Sequence, residues 1–279
     1  MKAVISILKH YLSVIAYSYK IGLKRDMEYF SYQICWFIMI PLSSFSGYYV
    51  LKLITDQNGN INGWSLGQIA FLYGLSLFSH GFQDLFFIQT RHIDEYVING
   101  EFDRALLRPM DVFIQFLTAN INICGVCSLI PAVVLFAYGC QMLNFEWSLV
   151  NAVSVFMIIV GGTLISFAIY SITGCIAFWT KKSSFLTALN LTIIDKMTSY
   201  PMTIYPAVFR GIFTFIIPVG FITFYPVCGL FQLDTGIHYR LPIPIELPVL
   251  SFVVGILCFF LARWFFHFAL KHKYESTGS

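Results

Sequence analysis

Long apolar stretches separated by short polar connections dominate this chain. Six regions carry the pattern: 34–54, 67–89, 112–138, 149–178, 184–231 and 245–268. Most reach the roughly 20 apolar residues that a helix needs to cross a bilayer. Strand-type alternation does not occur, so the expectation is an all-α integral membrane protein rather than a barrel. Before the first stretch, Val4, Ile5, Leu8, Tyr11, Leu12, Ile15 and Tyr19 recur at helical spacing, with Lys2, Lys9, Ser13, Lys20 and Lys24 on the other side. This pattern predicts an amphipathic interfacial helix over 1–30. The apolar run between Lys2 and Lys9 is too short for a signal peptide.

Composition sharpens the class. Of 279 residues, 58% are hydrophobic and 11% charged, against about 25% charged in soluble domains, so the chain lacks the polar surface to cover itself in water. Lys and Arg set the orientation. The N-terminal arm (with Arg25), the loop holding Arg91, Arg104 and Arg108, the pair Lys181 and Lys182, and the tail with Lys271 and Lys273 share one side if both termini are cytoplasmic. The connections 55–66 and 141–148 contain neither residue type.

The region 184–231 is interrupted by Pro201, Pro206, Pro218 and Pro226 and admits two readings. Either 211–231 crosses and 184–209 lies at the cytoplasmic interface, or 184–202 crosses and 207–230 forms a hairpin re-entering from outside and turning near Pro218. The second reading requires protein or a water-filled cavity around the broken backbone. Both give six crossings.

The charged run Arg91 to Asp111 is the candidate contact with a soluble partner. It starts with Arg91, His92, Asp94 and Glu95, passes Gly100 and ends at Arg108-Pro109, where proline disfavours helix in the residue before it. Its apolar set, Ile93, Tyr96, Val97, Phe102, Leu106 and Leu107, exceeds what a solvated orienting loop needs. Within the apolar stretches, His80 and Asp84 lie one helical turn apart and can meet on one face. An ionisable group in a span is a functional candidate, but Asp84 is near the cytoplasmic boundary and within reach of Arg91, so a structural polar pair is favoured. Asp195 is costly in a crossing helix and should then face the interior or a cavity. With Pro201, Pro206 and Pro218, these residues form a candidate translocation path.

The seven cysteines, Cys124 and Cys127 included, read as small buried hydrophobes, since no second Cys or His pair completes a metal site. Trp64, Trp147, Trp179 and Trp264 suit interface belts. No phosphate-binding loop, nucleophile elbow or zinc motif occurs, so no catalytic residue is assigned and nucleotide hydrolysis by this chain is not expected. An ATPase-independent secondary transporter or channel lacks the repeats and mid-membrane charges that would favour it. An intramembrane lipid enzyme would have only His80, Asp84 and the Asp94 region to work with.

Three segments, NGEFDRALLRPMD (99–111), YPMTIYPAVFRGIFTFIIPVGFITFYP (200–226) and YESTGS (274–279), resemble the membrane subunits of type-2 ABC exporters, in particular the subgroup linked to drug and viologen efflux. The likeness extends over nearly the whole chain as a single permease domain. It implies a separate ATPase dimer that holds ATP and magnesium, with no cofactor on this chain, and a second permease chain, identical or not. It implies a coupling helix within 91–111, with Glu95, Gly100, Glu101, Asp103, Arg104, Arg108 and Pro109 in the main contact and Lys181 and Lys182 in a smaller one. Arg108 and Glu101 are the chosen ATPase contacts. It favours the re-entrant reading over 203–231, and it implies export of a hydrophobic or amphipathic small molecule or lipid across the cytoplasmic (inner) membrane, with no nucleic-acid partner.

Overall fold

A computed structural model describes residues 2–28, 30–233 and 246–274. The expectations for Met1, for 234–245 and for the tail 275–279 lie outside the described residues, as do the side chains of most of the first fifteen positions. The described secondary structure is helical: α1 (Lys2–Glu28), α2 (Phe30–Asn58), α3 (Leu66–Phe87), α4 (Ile93–Ile98), α5 (Glu101–Leu106), α6 (Val112–Leu117), α7 (Cys124–Met142), α8 (Leu149–Gly174), α9 (Ala177–Thr180), α10 (Ser184–Ser199), α11 (Ala207–Gly211), α12 (Phe224–Phe231) and α13 (Leu247–Lys273). Four segments, in α2, α7, α8–α9 and α13, are long and apolar enough to cross a membrane. The 22 residues of α3 reach about 33 Å, also a crossing length. They carry more polar groups, and Ile69 through Leu75 are almost wholly buried.

Local signals explain where helices begin. Ser65 and Gln68 form a capping box at the start of α3, each side chain bonding the other's backbone N–H. Ser148 caps α8 by accepting from Asn151 N at 3.1 Å. Pro41 and Pro131 are accommodated inside α2 and α7, and Pro131 is buried.

Glycine governs the two main helix contacts. A Cβ on Gly74 would lie 2.6 Å from Phe136 N, and one on Gly139 2.6 Å from Phe71 N, so α3 and α7 meet backbone to backbone. At the α8–α13 contact, a Cβ on Gly255 would lie 2.7 Å from the Gly161 carbonyl oxygen. Such close approach is how apolar helices gain dispersion energy without a hydrophobic drive between them.

The expected third stretch, 112–138, is two helices rather than one. The chain leaves α6 after Leu117 and resumes at Cys124. Asn120 and Asn122, with Thr118, supply the polar turn chemistry that ends it. The freed groups are paired: Asn122 N donates to Leu85 O at 3.1 Å, Ile123 N to the Asp26 carboxylate at 3.2 Å, and Gln89 Nε2 to Asn120 O. Asp26 thus ties α1 to the start of α7.

The region after α10 is not one continuous helix over 211–231. A 3-10 turn (Met202–Ile204) leads to α11, which continues as a π-helical turn, Ile212–Ile216, and the helix then ends at Ile217 and Pro218. The return limb comprises a 3-10 turn, Val219–Phe221, and α12. Thr214 and Tyr225 hydroxyls bridge the two limbs at 2.5 Å. Pro201, Pro206 and Pro218 each precede a helical turn, where their fixed φ suits the entry. Trp64 is buried against the chain rather than turned outward: it is 2% exposed and packs on Phe224.

Candidate functional site

Basic connections gather at one end of the helices. The turn after α3, the α4–α5 pair, the α9–α10 connection and the end of α13 all meet there. Lys52 and Arg210 lie toward the other end.

The charged run 91–111 folds as two short helices split by Gly100, whose left-handed φ of 62° ends one and starts the other. Its apolar residues divide by task. Ile93, Val97 and Phe102 are buried, while Ile98, Leu106 and Leu107 are exposed, Leu107 by 87%. Sequence reasoning took the whole set of Ile93, Tyr96, Val97, Phe102, Leu106 and Leu107 as support for partner docking, yet half of it is buried and anchors the loop. Phe102 lies at ring-centroid distances of 5.4 to 5.9 Å from Phe116, Phe178, Phe266 and Tyr274, so one side chain joins α5, α6, α9 and α13. Edge-to-face and tilted pairs of this kind stabilise beyond their area burial.

Hydrogen bonds fix the rest. Gln115 Nε2 donates to Ala105 O at 3.1 Å and Met110 O at 2.8 Å, satisfying carbonyls at the end of α5 and in the loop beyond it. Asp111 caps α6 through Ile114 N at 3.1 Å and accepts from Arg263 at 3.1 Å, with His267 at 3.5 Å. Sequence reasoning did not single out Arg263 and His267, although an arginine inside an apolar helix with a histidine one turn later was the available signal. Burial pushes the Tyr96 phenol up to about 12, Glu101 adding to it. Tyr274 is likewise pushed up to about 12, by burial and then by the Asp103 carboxylate.

The second loop abuts the first. Lys181 takes a left-handed φ of 58°, Lys181 and Lys182 are exposed, and Ser183 N donates to the buried Asp94 carboxylate at 3.3 Å. Glu95, Arg104, Arg108, Pro109, Lys181 and Lys182 are exposed, while Glu101 and Asp103 are half-buried. Glu101, Arg104, Arg108 and Gln115 border a small cavity of about 130 Å³.

The other group of candidates lines a cavity of about 410 Å³ among α2, α3, α7 and α10. His80, Asp84, Asp195, Lys196 and Arg91 face it together with Ser43, Ser44 and Ser128. His80 and Asp84 share a helix face but find different partners. His80 Nε2 pairs with Thr198 Oγ1 at 3.2 Å, which in turn meets Ser76 Oγ at 2.6 Å, tying α3 to α10. Asp84 forms an ion pair with Arg91, whose guanidinium also donates to Gln83 Oε1 at 2.8 Å and lies 4.5 Å over the Tyr170 ring. Asp195 and Lys196 stand 3.7 Å apart, both more than half exposed. Pro201, Pro206 and Pro218 do not line this cavity. Among the described residues, no three His, Cys, Asp or Glu side chains converge as a metal site.

Residues 42–278 match the family model described as ABC-2 family transporter protein. No curated protein matches the chain.

Proposed function

The chain belongs to the ABC-2 transporter family, and from that premise we propose that it is the permease subunit of an ABC exporter powered by a separate ATPase dimer. Family membership and the four apolar helices make it a multi-pass membrane protein and a permease of an ABC transporter. The finer reading is a six-span permease of the drug and viologen efflux type in the cytoplasmic membrane, with both termini inside and α1 on the inner surface. In it, α3 and α10 supply the two further crossings and 203–231 re-enters from outside. A second permease chain completes the path for a hydrophobic or amphipathic substrate.

The observation that carries this reading is the division of labour in 91–111. Buried Phe102 locks the element to α6, α9 and α13, while Leu106, Leu107 and the charges of Arg104 and Arg108 remain exposed. A partner pushing on the exposed side would move several helices at once. The small cavity beside Glu101 and Arg108 can receive a partner side chain. Energy enters as ATP closure on the ATPase and leaves as a change of packing between inward-open and outward-open states, and the substrate shifts that balance by its differential affinity.

Affinity purification from native membranes in mild detergent, with mass spectrometry and an ATPase assay, tests the proposal. An ABC ATPase should co-purify, and its retention or stimulation should fall at least about fivefold in the Arg108→Ala, Glu101→Ala double variant, the loss of roughly 1 kcal/mol or more of contact. Purification without an ATPase contradicts the permease reading. An ATPase indifferent to both changes removes these two contacts.

A further inference from the structure

We propose that Arg91 is the positioning residue that carries movement of the docking element into the charged cavity, an inference that rests on the permease reading. Its backbone and its side chain belong to different places. The backbone closes the 3-10 turn Ile88–Arg91, and the next residue, His92, is the N-cap of α4. The side chain runs the other way, back along α3, to Asp84 and to Gln83 at 2.8 Å, and is 11% exposed.

The turn is hemmed in on its other side. A Cβ on Gly174 would lie 2.7 Å from the Thr90 carbonyl oxygen, so the turn rests directly on α8. Beyond it, α4 is bound to the α9–α10 connection by the Asp94 to Ser183 bond. When α4 shifts with that connection, the Arg91 backbone moves relative to Asp84, which is fixed in α3. Arginine suits the task because its planar fork engages a carboxylate, an amide oxygen and an aromatic face at once. Its Nε is buried and finds no protein acceptor among the described residues, so the guanidinium is held through its terminal nitrogen and its face.

The consequence is electrostatic. With Arg91 seated, Asp84 and Asp195 face Arg91 and Lys196 across the cavity, and the fixed charges balance. With Arg91 withdrawn, two carboxylates face one ammonium. Each cycle of the docking element therefore changes the charge of the cavity by one unit.

The test uses the complete complex of this chain with its ATPase, in membranes. A Thr192→Cys change places a thiol in the cavity wall, and the same complex with Thr192 intact provides the background of native cysteines. The readout is the ratio of labelling rates for a cationic and an anionic methanethiosulfonate reagent, with and without trapped nucleotide. Trapping should raise the ratio at least about tenfold, the scale of one unit charge about 10 Å away at an effective dielectric of about 20. Arg91→Gln should hold the ratio high in both states, and Arg91→Lys should restore a smaller nucleotide-dependent change. A ratio in the Thr192→Cys complex with Arg91 intact that does not move while the ATPase is bound and nucleotide-loaded overturns the inference, without needing any Arg91 variant. So does an Arg91→Gln complex that responds as fully as wild type. Absence of an ATPase from the complex overturns the permease reading itself, and this inference with it.

Discussion

The two ends of Arg91 lie in regions built on opposite principles. Around Phe102, aromatic rings from α5, α6, α9 and α13 interlock, and the side chain is 1% exposed. Around the charged cavity, the wall formed by α2 buries little of itself within this chain: 17% of its apolar stretch, against 61% for the segment containing α8. Close-packed regions move as bodies and transmit displacement. A helix with few internal contacts can change its packing at lower cost, and its free faces must be covered by lipid or a second chain. In the proposed cycle, motion enters at the Phe102 end and is taken up at the α2 wall.

The largest effect expected is at the packed end. Phe102→Ala should lose about 3–5 kcal/mol, the usual loss for a buried phenyl ring, read as a lower melting temperature of the solubilised protein. Leu107→Ala on the exposed side of the same element should change stability by less than about 0.5 kcal/mol while weakening ATPase retention. Equal destabilisation by the two would erase the distinction between anchor and docking surface.

A second comparison concerns the backbone contacts. Gly74→Val should cost about 1–3 kcal/mol by overpacking, because its side chain would meet the Phe136 backbone. Val substituted at Gly211, where nothing lies within 4 Å of an added Cβ, should stay within about 1 kcal/mol of wild type. Thermal unfolding of both variants in one detergent checks this.

Next in size is the Asp111 clasp. Asp111→Ala should cost about 1–2 kcal/mol, mainly the lost helix cap. The ion pair with Arg263 adds little, because Arg263 is 40% exposed. A double-mutant cycle with Arg263→Ala should give a coupling below about 1 kcal/mol. The smallest effect is at the cavity wall: Asp195→Asn should alter stability by no more than about 0.5 kcal/mol, its partner Lys196 being solvent-screened. Transport should change far more than stability in that variant, and a large loss of stability would show the wall to be as rigid as the Phe102 end.

Much of this was legible in the sequence. Hydrophobic runs placed α2, α3, α8 and α13, and the prolines at 201, 206 and 218 marked the interruptions because each fixes φ and removes a donor. The break at 118–123 went unread because flanking apolar residues outweighed Asn120 and Asn122 in a window long enough to detect a span. The charged cavity was half legible: helical spacing put His80 and Asp84 on one face and Asp84 within reach of Arg91, but Thr198, the partner that draws His80 away, is fixed by tertiary packing. Phe102 as an anchor could not be told from Leu107 as a contact surface, since both are apolar residues in one short loop and burial differs only after α13 arrives.

The most direct test of the account compares two exposed leucines in native membranes, Leu107 beyond α5, 87% exposed, and Leu42 on α2, 62% exposed. With a photo-crosslinking amino acid at either position, the account predicts that the 107 position captures an ABC ATPase and the 42 position captures lipid or a second permease chain. Capture of the ATPase from position 42, or from neither position, would contradict it.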